Sequence, residues 1–149
     1  MDKIQQFREY TRELECHLDN INQTDCCQCS VGKAECFLIV EIGRKPGISI
    51  KELAGILKVD KSGVSRNVEE LVKKGFVTRE PSKTDRRSVV LKLTESGNDR
   101  FTKIEKDMYI EFKKIFSKIE KSDRDKVLEA LRIYNEACRK VEDGATEDD

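Results

Sequence analysis

The sequence predicts a mainly α-helical chain with one small β-hairpin, on three observations. Apolar residues recur at helical spacing over most of the 149 residues, and β-rich runs are confined to one central stretch. Two short helical segments with a tight join, "LKVDKS", precede that stretch. Long apolar stripes on highly charged helices flank it at both ends. The length suits one ordinary domain. Only 37% of the chain is hydrophobic and 39% is charged, which implies long exposed helices and a core completed by a partner chain.

The elements follow in order. Ile4, Phe7, Leu14, Leu18 and Ile21 form a helical stripe, so residues 3–22 read as a helix. Residues 23–30 are polar and cysteine-rich and read as a loop. Residues 31–42, "VGKAECFLIVEI", read as a largely buried helix that "GRKPG" ends, with Gly and Pro as breakers. Ser49 and Glu52 form a capping-box pattern ahead of Leu53, Ala54 and Leu57, which marks a short helix. Asp60 or Ser62 can cap the next, whose apolar face is Val64, Val68, Leu71 and Val72 and which Gly75 stops. Two short helices so joined make a helix-turn-helix. Then Phe76 and Val77 face the alternating Val89, Leu91 and Leu93 across "PSKTDRR", the pattern of an antiparallel hairpin with a basic tip. A helix-turn-helix followed by such a hairpin is a winged helix.

Thr94 caps a further helix of about 25 residues, too long for one small domain to cover. Its apolar residues Phe101, Ile104, Met108, Phe112, Ile115 and Ile119 recur at steps of 3, 4, 4, 3 and 4. "KSDRD" breaks it, with Ser122 or Asp123 as the next cap, and Val127, Leu131, Tyr134, Cys138 and Val141 carry the last stripe. The stripes at the two ends of the chain predict packing on one another and on a second subunit. The resulting division is an N-terminal dimerisation helix with a cysteine-rich loop (1–30), a winged helix-turn-helix region (31–93), C-terminal dimerisation helices (94–143) and an acidic tail expected to be disordered (144–149), all in one structural domain.

Formal net charge is zero, but its distribution is uneven. From Arg44 to Lys92 there are 13 Lys and Arg against 6 Asp and Glu, while the remainder holds 16 against 23. A basic middle between acidic ends is a footprint for a polyanion. No apolar run reaches the roughly 18 residues of a membrane span, and the polar start lacks a secretory signal. A cytoplasmic location is expected, where thiols stay reduced. Enzyme chemistry is disfavoured: His17 is the single histidine, and no G-x-S-x-G, H-E-x-x-H or phosphate-loop pattern occurs.

From about Val31 onward the chain resembles the MarR family of winged-helix regulators. The resemblance is carried by "SIKELAGILKVDKSGVSRNVEELVKKGFVTREPSKTDRRSVVLKLTESG", in which Asp85 and Arg87 form the D-x-R element ahead of "LKLTESG". No single piece is specific; the ordered string over roughly 50 residues is a multi-part motif. The resemblance implies a homodimer on pseudopalindromic double-stranded promoter DNA, released or remodelled by a ligand or by oxidation.

A recognition helix offers its N-terminal side chains to the major groove. Here those positions are Lys61, Ser62, Gly63, Ser65, Arg66 and Asn67, with Val64 and Val68 turned to the core. Arg66 can fork to guanine and Asn67 can pair adenine. On the wing, Arg87 suits the minor groove, Arg86 and Lys83 suit phosphate, and Asp85 orients that arginine or the turn. Lys73, Lys74 and Arg79 either add to the field or form a solvated face.

The stretch "DCCQCS" places Cys26, Cys27 and Cys29 within four positions, and Cys36 follows in "GKAECF". Three readings stay open. Thiolates this close suit a thiophilic ion such as trivalent arsenic, cuprous copper, zinc or an iron–sulfur cluster, with Cys36 completing the site. Oxidation could instead pair two thiols and shift the helices. The third reading is inert thiols in a constitutive DNA binder, and Cys36 and Cys138, on apolar stripes, fit ordinary core positions. No cofactor is needed for DNA binding. The function expected is a dimeric, sequence-specific transcriptional regulator, a repressor responsive to a metal, metalloid or oxidant. The alternative is a thiol-based metal-binding or redox protein that uses the helix-turn-helix for protein contacts.

Overall fold

A computed structural model of the chain describes residues 1–26, 32–85 and 87–147. It begins with helix α1, Lys3–Cys26. Asp2 and Gln5 start it reciprocally: the Gln5 N–H donates to Asp2 Oδ1 at 2.8 Å and the Asp2 N–H donates to Gln5 Oε1 at 3.0 Å. This D-x-x-Q pair is a capping box that the sequence already contained. The helix outruns its predicted end at residue 22. Residues 23–26 are polar but include no Gly or Pro, so nothing in them breaks the backbone ladder. Cys26 therefore closes a helix rather than sitting in a loop.

Helix α2 spans Lys33–Arg44, two residues later at each end than the sequence suggested. Gly43 lies inside it and does not break it. A Cβ at Gly43 would meet the Phe101 ring at 2.6 Å, so the missing side chain serves close packing. Pro46 ends the helix instead by restricting the residue before it, and Lys45 is extended at φ −133°, ψ 81°. Strand β1, Ile48–Ser49, follows and is an addition to the expected hairpin. Helix α3, Ile50–Leu57, opens on the predicted capping box: Ser49 Oγ accepts the Glu52 N–H at 3.1 Å, and Glu52 Oε1 accepts the Ser49 N–H at 3.4 Å.

Helix α4, Lys61–Lys73, has Asp60 at its N-cap position. It ends in a Schellman arrangement in which the Phe76 N–H donates to Leu71 O and the Gly75 N–H to Val72 O, both at 3.0 Å. Gly75 takes φ +83° there, a left-handed conformation that costs glycine nothing. Strands β2 (Val77–Pro81) and β3 (Val89–Leu93) pair antiparallel with Val77 opposite Leu93 and Pro81 opposite Val89. β1 pairs with the other edge of β3, giving the sheet order β1-β3-β2. Pro81 is tolerated because β2 is an edge strand.

The chain divides into two compact units, Met1–Tyr109 and Ile110–Asp149. In the first, every member of the buried apolar cluster lies between Cys36 and Leu91. Leu38, Ile39 and Ile42 of α2 meet Ile48, Leu53, Val64, Val68, Leu71, Val77 and Leu91 there. Each fully buried aliphatic side chain contributes about 1.5–3 kcal/mol relative to exposure. Helix α5, Glu95–Ser117, is fastened to this unit at its first turn. Thr94 Oγ1 accepts the Gly97 N–H at 3.0 Å and donates to the Gly75 carbonyl at 2.6 Å, while the Thr94 N–H donates to Phe76 O at 3.0 Å. A Cβ at Gly97 would lie 2.0 Å from Phe76 O. The Arg100 guanidinium lies 5.3 Å from the Phe76 ring centroid, closing the joint. The "LTESG" run is thus more than a helix start, because it locks α5 to the end of α4.

In the second unit a 3₁₀ turn, Lys121–Asp123, leads directly into helix α6, Arg124–Glu147. Asp123, one of the two caps expected for the last helix, is the final residue of that turn and directly precedes α6. Arg124 steadies the corner: its Nε donates to Ile119 O at 3.1 Å and its guanidinium lies 5.1 Å from the Phe116 ring centroid. Because α6 continues to Glu147, residues 144–147 of the acidic tail are helical rather than disordered. No helix among the described residues is long and apolar enough to cross a membrane.

Candidate nucleic-acid interface

The periodicity of α4 sorts its residues onto two faces. Val64, Val68 and Leu71 are buried in the core. Lys61, Ser62, Ser65 and Arg66 are exposed, and Gly63 and Asn67 are half-buried at the margin. The predicted recognition set therefore shares one outward helix face near the positive end of the helix. Gly63 presents no side chain to a ligand. A Cβ there would lie 2.9 Å from Asp60 Oδ1, so this glycine makes room for the carboxylate of the residue that precedes α4.

The wing turn between β2 and β3 is built from its own side chains. Ser82 Oγ accepts the N–H groups of Thr84 and Asp85 at 3.3 Å each, and the Ser82 N–H donates to Ser88 O at 2.9 Å. Asp85 Oδ1 accepts the Arg87 N–H at 3.0 Å. Of the two roles open to Asp85, the geometry gives it the turn. Lys83 and Arg87 stand exposed beside it. Arg86 lies outside the described residues.

The cations of this region differ in their partners. At the far end of α4, Lys73 lies 3.6 Å from Glu70 and Lys74 lies 2.8 Å from Glu35. Lys92 lies 3.5 Å from Glu80. Among the described residues, no ion pair engages Lys61 or Arg66 on α4, or Lys83 or Arg87 on the wing. Pairing thus engages Lys73, Lys74 and Lys92 and leaves Lys61, Arg66, Lys83 and Arg87 without an acidic partner among the described residues. Exposed pairs of this kind add little stability, so their main effect is on the field.

The carboxyl group of Glu52 is held below the usual carboxylate range, first by the hydrogen bond from Lys45 and then by the Ser49 N–H. This fixes the start of α3, the helix that supports α4.

The join of α3 to α4 holds a feature that sequence reasoning passed over. Lys58 adopts the left-handed conformation, φ 57° and ψ 39°. Its only sequence signal is that the turn contains no glycine between Leu57 and Asp60.

The cysteines divide. Cys36 is 5% exposed and belongs to the core cluster, the ordinary position that its apolar helix allowed. Cys16 is exposed on α1 and Cys138 is partly buried on α6, both as free thiols. Cys26 ends α1, and Cys27 and Cys29 lie outside the described residues. Among the described residues no three His, Cys, Asp or Glu side chains gather into a metal site.

Comparison with known proteins points one way. Residues 32–88 match the MarR family model. The HTH-type transcriptional regulator BilQ of Clostridium symbiosum is 29% identical over 96 residues, which covers 64% of this chain and 67% of that protein. Across the curated relatives matched, the chain spans between 53% and 67% of their length. A MarR transcriptional regulator from Methanosarcina mazei Go1 superposes with a TM-score of 0.80 at 23% identity, over 92% of this chain and 99% of that one. FabT of Streptococcus pneumoniae, crystallised in complex with DNA, superposes with a TM-score of 0.83 at 20% identity, over 93% and 99% of the two chains. At these identities the structures establish the fold. The curated relatives matched carry the names of transcriptional regulators. With its helix-turn-helix and wing inside the segment that matches the MarR family model, and its fold shared along nine-tenths of its length with a MarR regulator, the chain has the winged helix-turn-helix fold and is similar to the MarR family.

Proposed function

We propose that the protein is a homodimeric, sequence-specific DNA-binding regulator that represses transcription by occupying promoter DNA. The observation that carries this reading is the pairing pattern of its cations. Lys61 and Arg66 on the outward face of α4 and Lys83 and Arg87 on the wing have no acidic partner among the described residues, while Lys73, Lys74 and Lys92 do. In this reading α4 enters the major groove, with Arg66 and Asn67 on base edges and Lys61, Ser62 and Ser65 on base edges or phosphate. Arg87 reaches the minor groove, Lys83 and Arg86 meet phosphate, and Asp85 holds the turn.

The dimer is supported by apolar side chains that the single chain leaves uncovered. Ile4 and Phe7 on α1 are 79% and 54% exposed, and Ile115 and Leu128 are 46% and 55% exposed. A second copy of the chain would cover them and set two recognition helices about one DNA turn apart. We assign a sensing role to Cys26, Cys27 and Cys29, through a thiophilic ion or through oxidation. They fall at the junction of α1 and α2, and the first turn of α2 is tied to both sides: Lys33 pairs with Asp19 at 2.9 Å and Glu35 with Lys74 at 2.8 Å. Movement of that junction would be passed to the end of α4.

The test is a gel shift and footprint on the protein's own promoter, with the reduced protein and after arsenite, zinc or peroxide. Arg66→Ala is expected to cost about 1–3 kcal/mol of operator affinity and to relax one base position. Arg87→Ala is expected to weaken sites with A·T-rich flanks most. Unchanged, salt-sensitive binding by both variants would remove these residues from the interface. Serine at Cys26, Cys27 and Cys29 together is expected to abolish the response and keep DNA binding.

A further inference from the structure

The residues that end α4 are each held from outside the helix. Lys74, at its C-cap position, lies 2.8 Å from Glu35 of α2. The Gly75 carbonyl accepts the Thr94 hydroxyl at 2.6 Å. The Phe76 carbonyl accepts the Thr94 N–H at 3.0 Å, and the Arg100 guanidinium lies 5.3 Å from the centre of the Phe76 ring. The same Thr94 oxygen also accepts the Gly97 N–H at 3.0 Å and so starts α5. One hydroxyl therefore joins the end of α4 to the first turn of α5, and the place demands a side chain that both donates and accepts.

This joint controls an angle. Burial of Val64, Val68 and Leu71 holds α4 against the core, but apolar contact is non-directional. Hydrogen bonds weaken steeply when bent, so the tie at Gly75 fixes the direction of α4 relative to α5. Phe101, seated in the space that Gly43 leaves, gives α5 a second fixed point seven residues further along. Arg66 lies eight residues before Lys74, about 12 Å along the helix, so a tilt of about 5° at the joint moves it by about 1 Å. A shift of that size takes a base contact out of hydrogen-bond range. Further along α5, Phe112 and Ile115 are uncovered in the single chain. We propose that Thr94 is a positioning residue for DNA recognition, whose hydroxyl sets the angle between α4 and α5 and with it the half-site spacing that a dimer accepts. The proposal rests on the dimeric DNA-binding reading above and names the residue that fixes its geometry.

The experiment uses the full chain and three duplexes: its footprinted promoter site, and the same site with one base pair added or removed between the half-sites. Each change moves a half-site by about 3.4 Å and turns it by about 35°. The quantity read is the ratio of affinities for natural and altered spacing, from which any uniform loss of binding cancels. Wild-type protein is expected to prefer the natural spacing by about tenfold or more. Thr94→Ser keeps both hydrogen bonds and is expected to keep that ratio. Thr94→Asp still accepts the Gly97 N–H but cannot donate to the Gly75 carbonyl, and is expected to cut the ratio by about two- to tenfold. Arg100→Gln loosens the same joint from its half-buried side and is expected to cut it by about two- to fivefold. Should Thr94→Asp fail to fold, Arg100→Gln decides. Ile39→Val lowers stability from the core, away from the joint, and is expected to lower Tm and keep the ratio. A wild-type ratio in both Thr94→Asp and Arg100→Gln overturns the proposal. A fall in Thr94→Ser or Ile39→Val equal to that in Thr94→Asp overturns it too, because stability alone would then explain the loss. Wild-type protein that binds none of the duplexes overturns the DNA-binding reading, and wild-type protein that binds all three alike overturns the dimer reading, and this proposal with either.

Discussion

The segment from Cys36 to Leu91 and the long helices α1 and α6 are built from similar proportions of charge, yet they stand in opposite conditions. The first closes its apolar residues into a core in which Leu53, Val68, Leu71 and Leu91 are fully buried. The second kind keeps a helical stripe and leaves it in water: Phe7 on α1 is 54% exposed and Leu128 on α6 is 55% exposed. The difference lies in what each helix has to pack on. The short helices α2, α3 and α4 and the three-stranded sheet share one buried cluster, so each apolar face finds partners within about 50 residues of chain. A helix of 24 residues extends about 36 Å and outruns any core so small. One region is self-sufficient, and the other is an unfinished surface.

The comparison can be broken most severely in the self-sufficient region. Gly97→Ala drives a methyl group into the Phe76 carbonyl and is expected to cost about 3 kcal/mol or more of stability. Leu53→Ala is expected to cost about 2–5 kcal/mol by leaving a cavity. In denaturant titrations both losses should be present at every protein concentration. If Gly97→Ala keeps wild-type stability, the joint between α5 and the end of α4 is not tight. On the stripe, Ile115→Asp changes a residue that is already 46% exposed. It is expected to leave helix content unchanged and to lower the sedimenting mass to one chain. A variant that instead unfolds would show that the stripe packs within the monomer.

The smallest expected effect concerns pH. Glu52 has a folded pKa lowered below its ordinary 4.5, so its contribution is present above that pH and lost as pH falls through the lower folded value. Glu52→Gln keeps a side-chain acceptor for the Ser49 N–H but does not titrate. Between about pH 6 and about pH 3 its Tm should therefore fall less than the wild-type Tm does. Parallel falls in the two proteins would remove Glu52 from the acid response.

The same contrast explains what was legible in the sequence. Local signals were: Ser49 and Glu52 announce α3, Gly75 announces the end of α4, and alternation at Val89, Leu91 and Leu93 announces β3. Of the expected recognition set, Lys61, Ser62, Ser65 and Arg66 do lie on one exposed face, because buried Val64 and Val68 fix the phase of the helix. Features that depend on distant partners were not legible. β1 is two residues long, too short for any period, and exists because Ile48 and Ser49 lie beside Leu91 and Val90. Gly43 reads as a breaker until Phe101 is placed against it. Thr94 and Gly97 read as a plain helix start until the Gly75 and Phe76 carbonyls are brought to them. Helix ends were missed where polar residues carried no breaker, at Cys26 and at Glu147. Lys58 was missed because a left-handed turn is normally sought at glycine.

One measurement bears on the central claim, that a self-sufficient reader is completed as a pair by its unfinished helices. It is native mass spectrometry of the anaerobically purified protein mixed with its promoter duplex. The account predicts free protein at twice the 17.2 kDa chain mass and a complex of two chains per duplex. Free protein at the single-chain mass, with one chain per duplex or none, would contradict it.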